Sequence, residues 1–303
     1  MNTESLSSPL PESPGLLGAV RHLVRLARPK HWIKNVFVLM PLPFALASGA
    51  RLDWAPFCWG LLGFCLANSA VYVLNDLLDA EADRLHPKKR LRPIASGQVP
   101  GWLAVAWCVI LLTISLGAGF ASGVLWAPAL TLIYLGINAA YCIKVKHIAL
   151  LDVFALASGF LIRVLLGCVL VDVTPSNWLL LCASSLALFL GFAKRRADLQ
   201  AGLDDKHRPS LNGYSPSFLD QALAIMAGTA LISYTLYAVE SELFAKGREL
   251  ASAPFVAYGI LNYLNLANRG GGGSPVETAF KSWDLQLCGL GWGIAVMWSL
   301  GLW

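Results

Sequence analysis

The sequence predicts an all-α, polytopic membrane protein with about nine transmembrane helices. Three observations lead to that class. Of 303 residues, 56% are hydrophobic and only 14% charged, with a mean hydropathy of +0.60, whereas a soluble domain carries roughly 25% charged residues. The apolar residues fall in long unbroken blocks, each near the ~20 residues a helix needs to cross the hydrocarbon core. The blocks lack the dyad alternation of barrel strands, so satisfying the backbone inside lipid requires helices.

Residues 1–20 contain Ser, Pro and Glu without an apolar stretch after a basic start. They are expected to form a disordered tail rather than a signal peptide. Residues 21–303 are expected to form one membrane domain. Candidate spans run over 34–50, 55–79, 101–121, 124–143, 148–171, 177–194, 217–240, 251–267 and 284–302. The first is short and interrupted by Pro41 and Pro43. The stretch GGGGS at 270–274 reads as a flexible connection.

Lysine and arginine fix the orientation. With the N-terminus in the cytoplasm, nineteen of the 23 Lys and Arg residues lie in cytoplasmic segments; Arg51, Lys246 and Arg248 lie opposite, and Arg163 falls inside the fifth span. That asymmetry predicts a multi-pass membrane protein whose charged loops face the cytoplasm. The net charge of +5 follows from those loops, and no nucleic-acid partner is expected. The seven cysteines form no CxxC pair and sit in or beside apolar blocks, where small buried hydrophobes are the simplest reading.

The second span ends in NDLLDAEADRLHPKKRLRP, residues 75–93. Asp76, Asp79 and Asp83 are spaced by three and four, which on a helix places them on one face. Three carboxylates on one stripe repel each other and call for a counter-charge. An all-oxygen set at a membrane boundary suits Mg²⁺, which binds few carboxylates and keeps positions for phosphate oxygens. Asn75 adds a further oxygen. His86, Lys88, Lys89, Arg90 and Arg92 follow, bracketed by Pro87 and Pro93, and metal with cations is a construction that holds a diphosphate. The bland alternative is a solvated helix end, which leaves the adjoining cations unexplained. Tyr72, one turn before Asp76, is expected on the same side.

With these residues in view, the chain resembles the UbiA-type intramembrane prenyltransferases, through the pattern NDxxDxxxD at the end of a second span. Four further segments resemble the branch of decaprenyl-phosphate phosphoribosyltransferases: RPKHWIKN (28–35), the continuation HPKKRLRPIASG, YCIKVKHIALLDVFALASGFLIR (141–163) and FAKRRADL (192–199). The resemblance runs from about Arg28 to the end. It implies a single UbiA-like domain with a central cavity open to the cytoplasm, and a Mg²⁺-dependent transfer of 5-phosphoribose from phosphoribosyl diphosphate to a polyprenyl phosphate. It permits a homo-oligomer.

Relatives using prenyl diphosphates commonly carry a second motif, DxxxD, after span six; here Lys194 takes the place of the first acid and Asp198 follows four residues on. Lys194 and Arg195 are expected to contact phosphate, with Asp198 either a site residue or a partner of Lys194. By resemblance Lys144 and Asp152 face the same cavity, although interface anchoring and a helix N-terminal carboxylate also account for them. Arg163 lies about 16 Å deeper than Asp152 along a helix, where a cation is a functional candidate by default. Binding a lipid phosphate and pairing with a buried acid both remain open for it. Lys30, His31 and Lys34 precede span one, either as phosphate ligands or as cations attracted to anionic lipid. Tyr141 is assigned with Tyr134 to the core or interface, and also counted among candidate substrate contacts.

In this scheme Asp76, Asp79 and Asp83 hold the metal, the cations hold the departing diphosphate, and Asp152 or Asp198 orients ribose hydroxyls. Two rivals stay in play. One is a prenyltransferase using a prenyl diphosphate donor. The other is a transporter, against which the gathering of acids at one face argues.

Overall fold

A computed structural model describes residues 16–87, 89–202, 209–269, 278 and 281–302. Within them the chain is helical, without strands. The α-helices are α1 (Leu16–Ala27), α2 (Leu42–Ala47), α3 (Trp54–Leu78), α4 (Ala80–Leu85), α5 (Gly101–Ala121), α6 (Trp126–Ile143), α7 (Leu151–Leu170), α8 (Asn177–Gln200), α9 (Pro216–Glu240), α10 (Ala253–Asn268) and α11 (Trp283–Ser299). Six of these, α3 and α5 to α9, are long and apolar enough to cross a membrane. Large apolar side chains such as Trp102, Phe120, Trp126, Ile232 and Leu290 point outward, as expected where lipid is the solvent. The protein is a multi-pass membrane protein.

Three of the nine expected spans differ. The first does not form a continuous helix. Residues Pro29–Leu39 wind as a 3-10 helix and α2 follows as a short turn of helix; Pro41 and Pro43 remove the amides a continuous helix would need. The spans expected at 251–267 and 284–302 are the helices α10 and α11, of 16 and 17 residues. Helix α1 begins at Leu16, inside the stretch expected as a tail; residues 1–15 lie outside the described residues. Residues 270–274 lie outside the described residues.

Close approach of backbones builds the bundle. A side chain at Gly63 would place its Cβ 2.7 Å from the Ser115 carbonyl, and the Ser115 hydroxyl donates to the Gly63 carbonyl at 2.7 Å, joining α3 to α5. A Cβ at Gly167 would meet the Val38 carbonyl, so the 3-10 segment rests directly on α7. Small residues at such contacts replace the hydrophobic driving force that lipid does not supply. The apolar core divides into clusters around α3, α6 and α7, around α8, α9 and α10, and around α1, α3 and α5. The cysteines form no disulfide: Cys65, Cys142 and Cys168 are buried, Cys58 is exposed, and the other three are half-buried.

The alternating course brings the C-terminal ends of α3, α6 and α8 to the end of the bundle where α7 and α9 begin. The charged segments of the sequence gather there.

Candidate active site

At Asp79 the backbone leaves the helix, with φ −90° and ψ 1°, and α4 starts one residue later. An unbroken helix would keep the three aspartates within about 60° of one another; the break redirects the middle one. Asp79 accepts from Lys146 Nζ at 2.5 Å and from Asn75 Nδ2 at 3.1 Å. Asp76 and Asp83, each 2% exposed, turn toward a common point. Arg92 Nη1 occupies it, 3.1 Å from Asp76 Oδ1 and 2.6 Å from Asp83 Oδ2. Lys89 Nζ lies 3.9 Å from Asp83.

The single three-carboxylate stripe is therefore corrected. Among the described residues no three His, Cys, Asp or Glu side chains gather closely enough to hold one metal ion. Asp76 and Asp83 alone converge, on a point already held by a cationic nitrogen. Two hard oxygen donors with a cation between them fit a divalent ion that takes its remaining ligands from water and phosphate.

On the other wall of this site stand the expected Lys34, His31 and Tyr72, together with Arg28, which the sequence did not single out. Arg28 Nη2 donates to both oxygens of Asp76, at 2.6 and 2.9 Å, and its guanidinium lies 5.0 Å from the Tyr72 ring centroid. Arg28 joins α1 to the 3-10 segment in the left-handed region, φ 51° and ψ 54°. That conformation costs a non-glycine residue about 1 kcal/mol or more and persists only where neighbours enforce it. Lys34 Nζ donates to the Tyr72 hydroxyl at 3.3 Å, and the His31 ring packs 4.9 Å from that of Tyr72. Tyr72 thus lies on the same side as Asp76, as expected. Burial, and then the charges of Lys34 and Arg28, lower the His31 pKa. Arg25, Arg28, His31, Asp76 and Arg92 line a cavity of about 350 Å³.

The remaining cations divide. Lys30, Arg90 and Lys144 are exposed. His86 Nδ1 accepts the Lys89 amide at 3.3 Å and so shapes the turn after α4. Lys88 lies outside the described residues. Of the two lysines after α6, Lys146 rather than Lys144 reaches the aspartates.

Asp152 and Arg195 require a second correction. Both are 0% exposed, sealed in a network that leaves them no route to a substrate in this conformation. Arg195 Nε donates to Asp152 Oδ2 at 2.7 Å, and Arg195 Nη1 to Asp198 Oδ2 at 3.0 Å. Ser210 donates to Asp152 Oδ2 at 2.9 Å and the Tyr214 hydroxyl to Oδ1 at 2.6 Å. The same hydroxyl accepts the Leu150 amide at 2.7 Å, at a residue with φ 67° that opens α7. Burial and the bond to Asp152 push the Tyr214 phenol far above its ordinary pKa, which keeps it a donor. The network ties the start of α7 to α8 and to the segment before α9. Asp198 pairs with Arg195 three residues away, and Lys194 lies within its electrostatic reach. Tyr141 sits within electrostatic reach of Arg195, Asp152 and Lys146, between this network and the aspartates.

Arg163, 4% exposed, has no carboxylate within salt-bridge distance among the described residues, which removes the buried-acid reading there. It donates to Asn35 Oδ1 at 2.9 Å, to the Gly159 carbonyl at 2.7 Å and to the Tyr134 hydroxyl at 3.4 Å. The rings of Phe64, Tyr134 and Phe160 surround its guanidinium at 5.1 to 5.5 Å. Tyr134 is core, as expected, but its hydroxyl also takes Asn68 Nδ2 at 3.1 Å. Phe160 has a second contact surface. With Phe37, Phe44, Ala183, Tyr237 and Trp292 it lines an apolar cavity of about 350 Å³ between the 3-10 segment and α7 to α11.

A helical bundle with paired carboxylates and cations at one end and an apolar cavity among its helices is the frame of an intramembrane transferase. The chain belongs to the UbiA prenyltransferase family, whose model it matches over residues 35–283. It is 36% identical over 293 residues to decaprenyl-phosphate phosphoribosyltransferase of Mycolicibacterium smegmatis, covering 90% of each chain. To the protein of the same name in Mycobacterium tuberculosis it is 34% identical, covering 90% of this chain and 92% of the relative. Its fold matches that of a UbiA homolog from Archaeoglobus fulgidus bound to DMAPP and Mg²⁺, with a TM-score of 0.71 at 19% identity, over 92% of this chain and 98% of the other.

Proposed function

We propose that the protein transfers the 5-phosphoribosyl group of phosphoribosyl diphosphate to a polyprenyl phosphate, in a Mg²⁺-dependent reaction at the cytoplasmic face of the membrane. The observation that carries this reading is the Asp76–Arg92–Asp83 cluster, with Arg28 bound to Asp76 and Lys146 to Asp79, in the same bundle as an apolar cavity lined by Phe160, whose ring also flanks the Arg163 guanidinium. The names of the relatives cited above support the same reaction, and the asymmetry of Lys and Arg supports the cytoplasmic placement.

The bond from ribose C1 to the diphosphate oxygen breaks, and a bond from C1 to an oxygen of the lipid phosphate forms. The acceptor is already an anion, so no side chain has to remove a proton. Asp76 and Asp83 would hold the divalent ion at the point where Arg92 Nη1 stands. Bound there, that ion supplies positive charge to the departing diphosphate. Arg92 and Arg28, released from the carboxylates, donate to phosphate oxygens, where guanidinium geometry is favourable. Lys146 holds the Asp79 carboxylate in place. Asp152, Arg195 and Tyr214 act as positioning residues: they fix the start of α7 and direct Asp198 toward Lys194. The apolar cavity takes the isoprenoid chain, and the uncompensated charge of Arg163 attracts its phosphate toward the charged end.

The test uses the full-length protein in lipid nanodiscs with labelled phosphoribosyl diphosphate and polyprenyl phosphates of several lengths, with Mg²⁺ and with EDTA. Label is expected in the lipid fraction with Mg²⁺ only. Label arising only from a prenyl diphosphate donor would overturn this reading in favour of a conventional prenyl transfer.

A further inference from the structure

Phosphoribosyl diphosphate carries anions at both ends, whereas a prenyl diphosphate carries them at one. A site for the sugar donor therefore needs a second place for phosphate. The cavity beside Asp76 has the charge for it. Arg25, Arg28 and Arg92 line it with His31, against the single carboxylate of Asp76. Arg28 and Arg92 already share that carboxylate, at 2.6 and 3.1 Å, while Arg25 has no carboxylate within salt-bridge distance among the described residues. The cavity therefore holds an excess of positive charge next to the point where Asp76 and Asp83 converge. Its volume, about 350 Å³, falls at the lower end for small-molecule sites.

Three segments supply the cations. Arg25 is in the last turn of α1, Arg28 and His31 frame the start of the 3-10 segment, and Arg92 follows α4. Arg21 and Arg25, four residues apart, share one side of α1, and Arg28 follows just past its end. The opposite side is anchored, since Leu26 and Ala27 are buried against α3 and α5. The left-handed backbone at Arg28 turns the chain so that both Arg28 and His31 face the cavity that Arg25 borders. Burial first, and then the charges of Lys34 and Arg28, lower the His31 pKa; a bound anion would offset the charge contribution.

We infer that this cavity is a second anion subsite that takes the phosphomonoester end of the sugar donor, with Arg25 and His31 selecting a sugar phosphate over a prenyl diphosphate. The inference rests on the phosphoribosyl-transfer reading above and adds the residues that set donor choice. Arg28 and Arg92 stand between the two subsites and serve both.

The test is binding of ribose 5-phosphate and, separately, of magnesium pyrophosphate to the full-length protein in nanodiscs, for wild type, Arg25→Gln, Arg25→Lys and His31→Gln. Arg25 is exposed, so its replacement leaves the fold intact. Arg25→Gln is expected to weaken ribose 5-phosphate about tenfold, the loss of one charge-assisted contact, and to leave pyrophosphate within about twofold; Arg25→Lys recovers part of the loss. In turnover, Arg25→Gln raises KM for phosphoribosyl diphosphate with little change in KM for the lipid. Equal weakening of both ligands, or ribose 5-phosphate affinity indifferent to Arg25 and His31, would overturn the subsite. A wild-type protein that moves no phosphoribose to any polyprenyl phosphate refutes the functional reading instead.

Discussion

Lys146 donates to Asp79 at 2.5 Å across 67 residues of sequence, and this pair separates the middle aspartate from its two neighbours. The pairing assigns different work to residues that look alike. Lys146→Ala is expected to lower kcat/KM at least tenfold, because Asp79 loses its counter-charge beside the donor. Lys144→Ala, at an exposed position, is expected to stay within about twofold. Stability should change by no more than ~1 kcal/mol in either case, since partly exposed ion pairs contribute little. Steady-state kinetics and thermal unfolding in nanodiscs check both statements.

Arg92 occupies the point to which Asp76 and Asp83 both turn, so a divalent ion held there, as proposed, would compete with the guanidinium. Arg92→Gln is expected to raise the affinity for Mn²⁺, read by electron paramagnetic resonance without any substrate, while lowering turnover. Asp76→Asn is expected to abolish binding of that ion. An Arg92→Gln protein that binds Mn²⁺ more weakly than wild type would contradict the shared point.

The buried network around Asp152 predicts large and graded losses of stability. Among the described residues, Asp152→Ala leaves the fully buried Arg195 with only Asp198 as a carboxylate partner, and it is expected to cost about 3–5 kcal/mol. Tyr214→Phe removes one hydroxyl that serves both Asp152 and the Leu150 amide, and is expected to cost about 1–3 kcal/mol. Both values are read from unfolding. Any loss of activity in Tyr214→Phe should appear in kcat, through displaced Asp198, with KM for the donor near wild type.

His31 gives a dependence of stability on pH with a defined sign. Its folded pKa lies below the ordinary 6.5, so the unfolded chain takes up a proton first as pH falls. The folded state consequently loses stability as pH drops through 6.5 toward the folded pKa, and regains it as pH rises. His31→Gln should flatten that part of the melting-temperature profile between about pH 5 and 7.

The apolar cavity predicts separable effects on the two substrates. Ala183→Trp fills it and is expected to raise KM for the polyprenyl phosphate at least tenfold, with the donor KM unchanged. Arg163→Met removes a charge that has no carboxylate within salt-bridge distance among the described residues, so it orphans none of them. Its cost to stability is expected below that of Asp152→Ala, and its main effect is weaker binding of polyprenyl phosphate relative to the corresponding alcohol.

The sequence alone determined the solvent of this protein and the location of its chemistry. Apolar blocks of bilayer length dictate helices because lipid offers the backbone no partners, and NDLLDAEAD followed by HPKKRLRP marks the charged end whatever the packing. The motif also revealed the family, since its spacing is local and survives in one chain. What only the tertiary structure decided is which charge meets which. Asp76 and Asp83 converge and Asp79 does not, because the helix ends at Leu78. Arg28 and Lys146 join the site from 48 and 67 residues away; their segments, RPKHWIKN and YCIKVKHI, carry the resemblance, but nothing local shows which cation in them reaches an aspartate. Asp152 and Arg195 looked like site residues for the same reason. Their burial is a property of three segments meeting, and a sealed ion pair and an open ligand share one sequence signature.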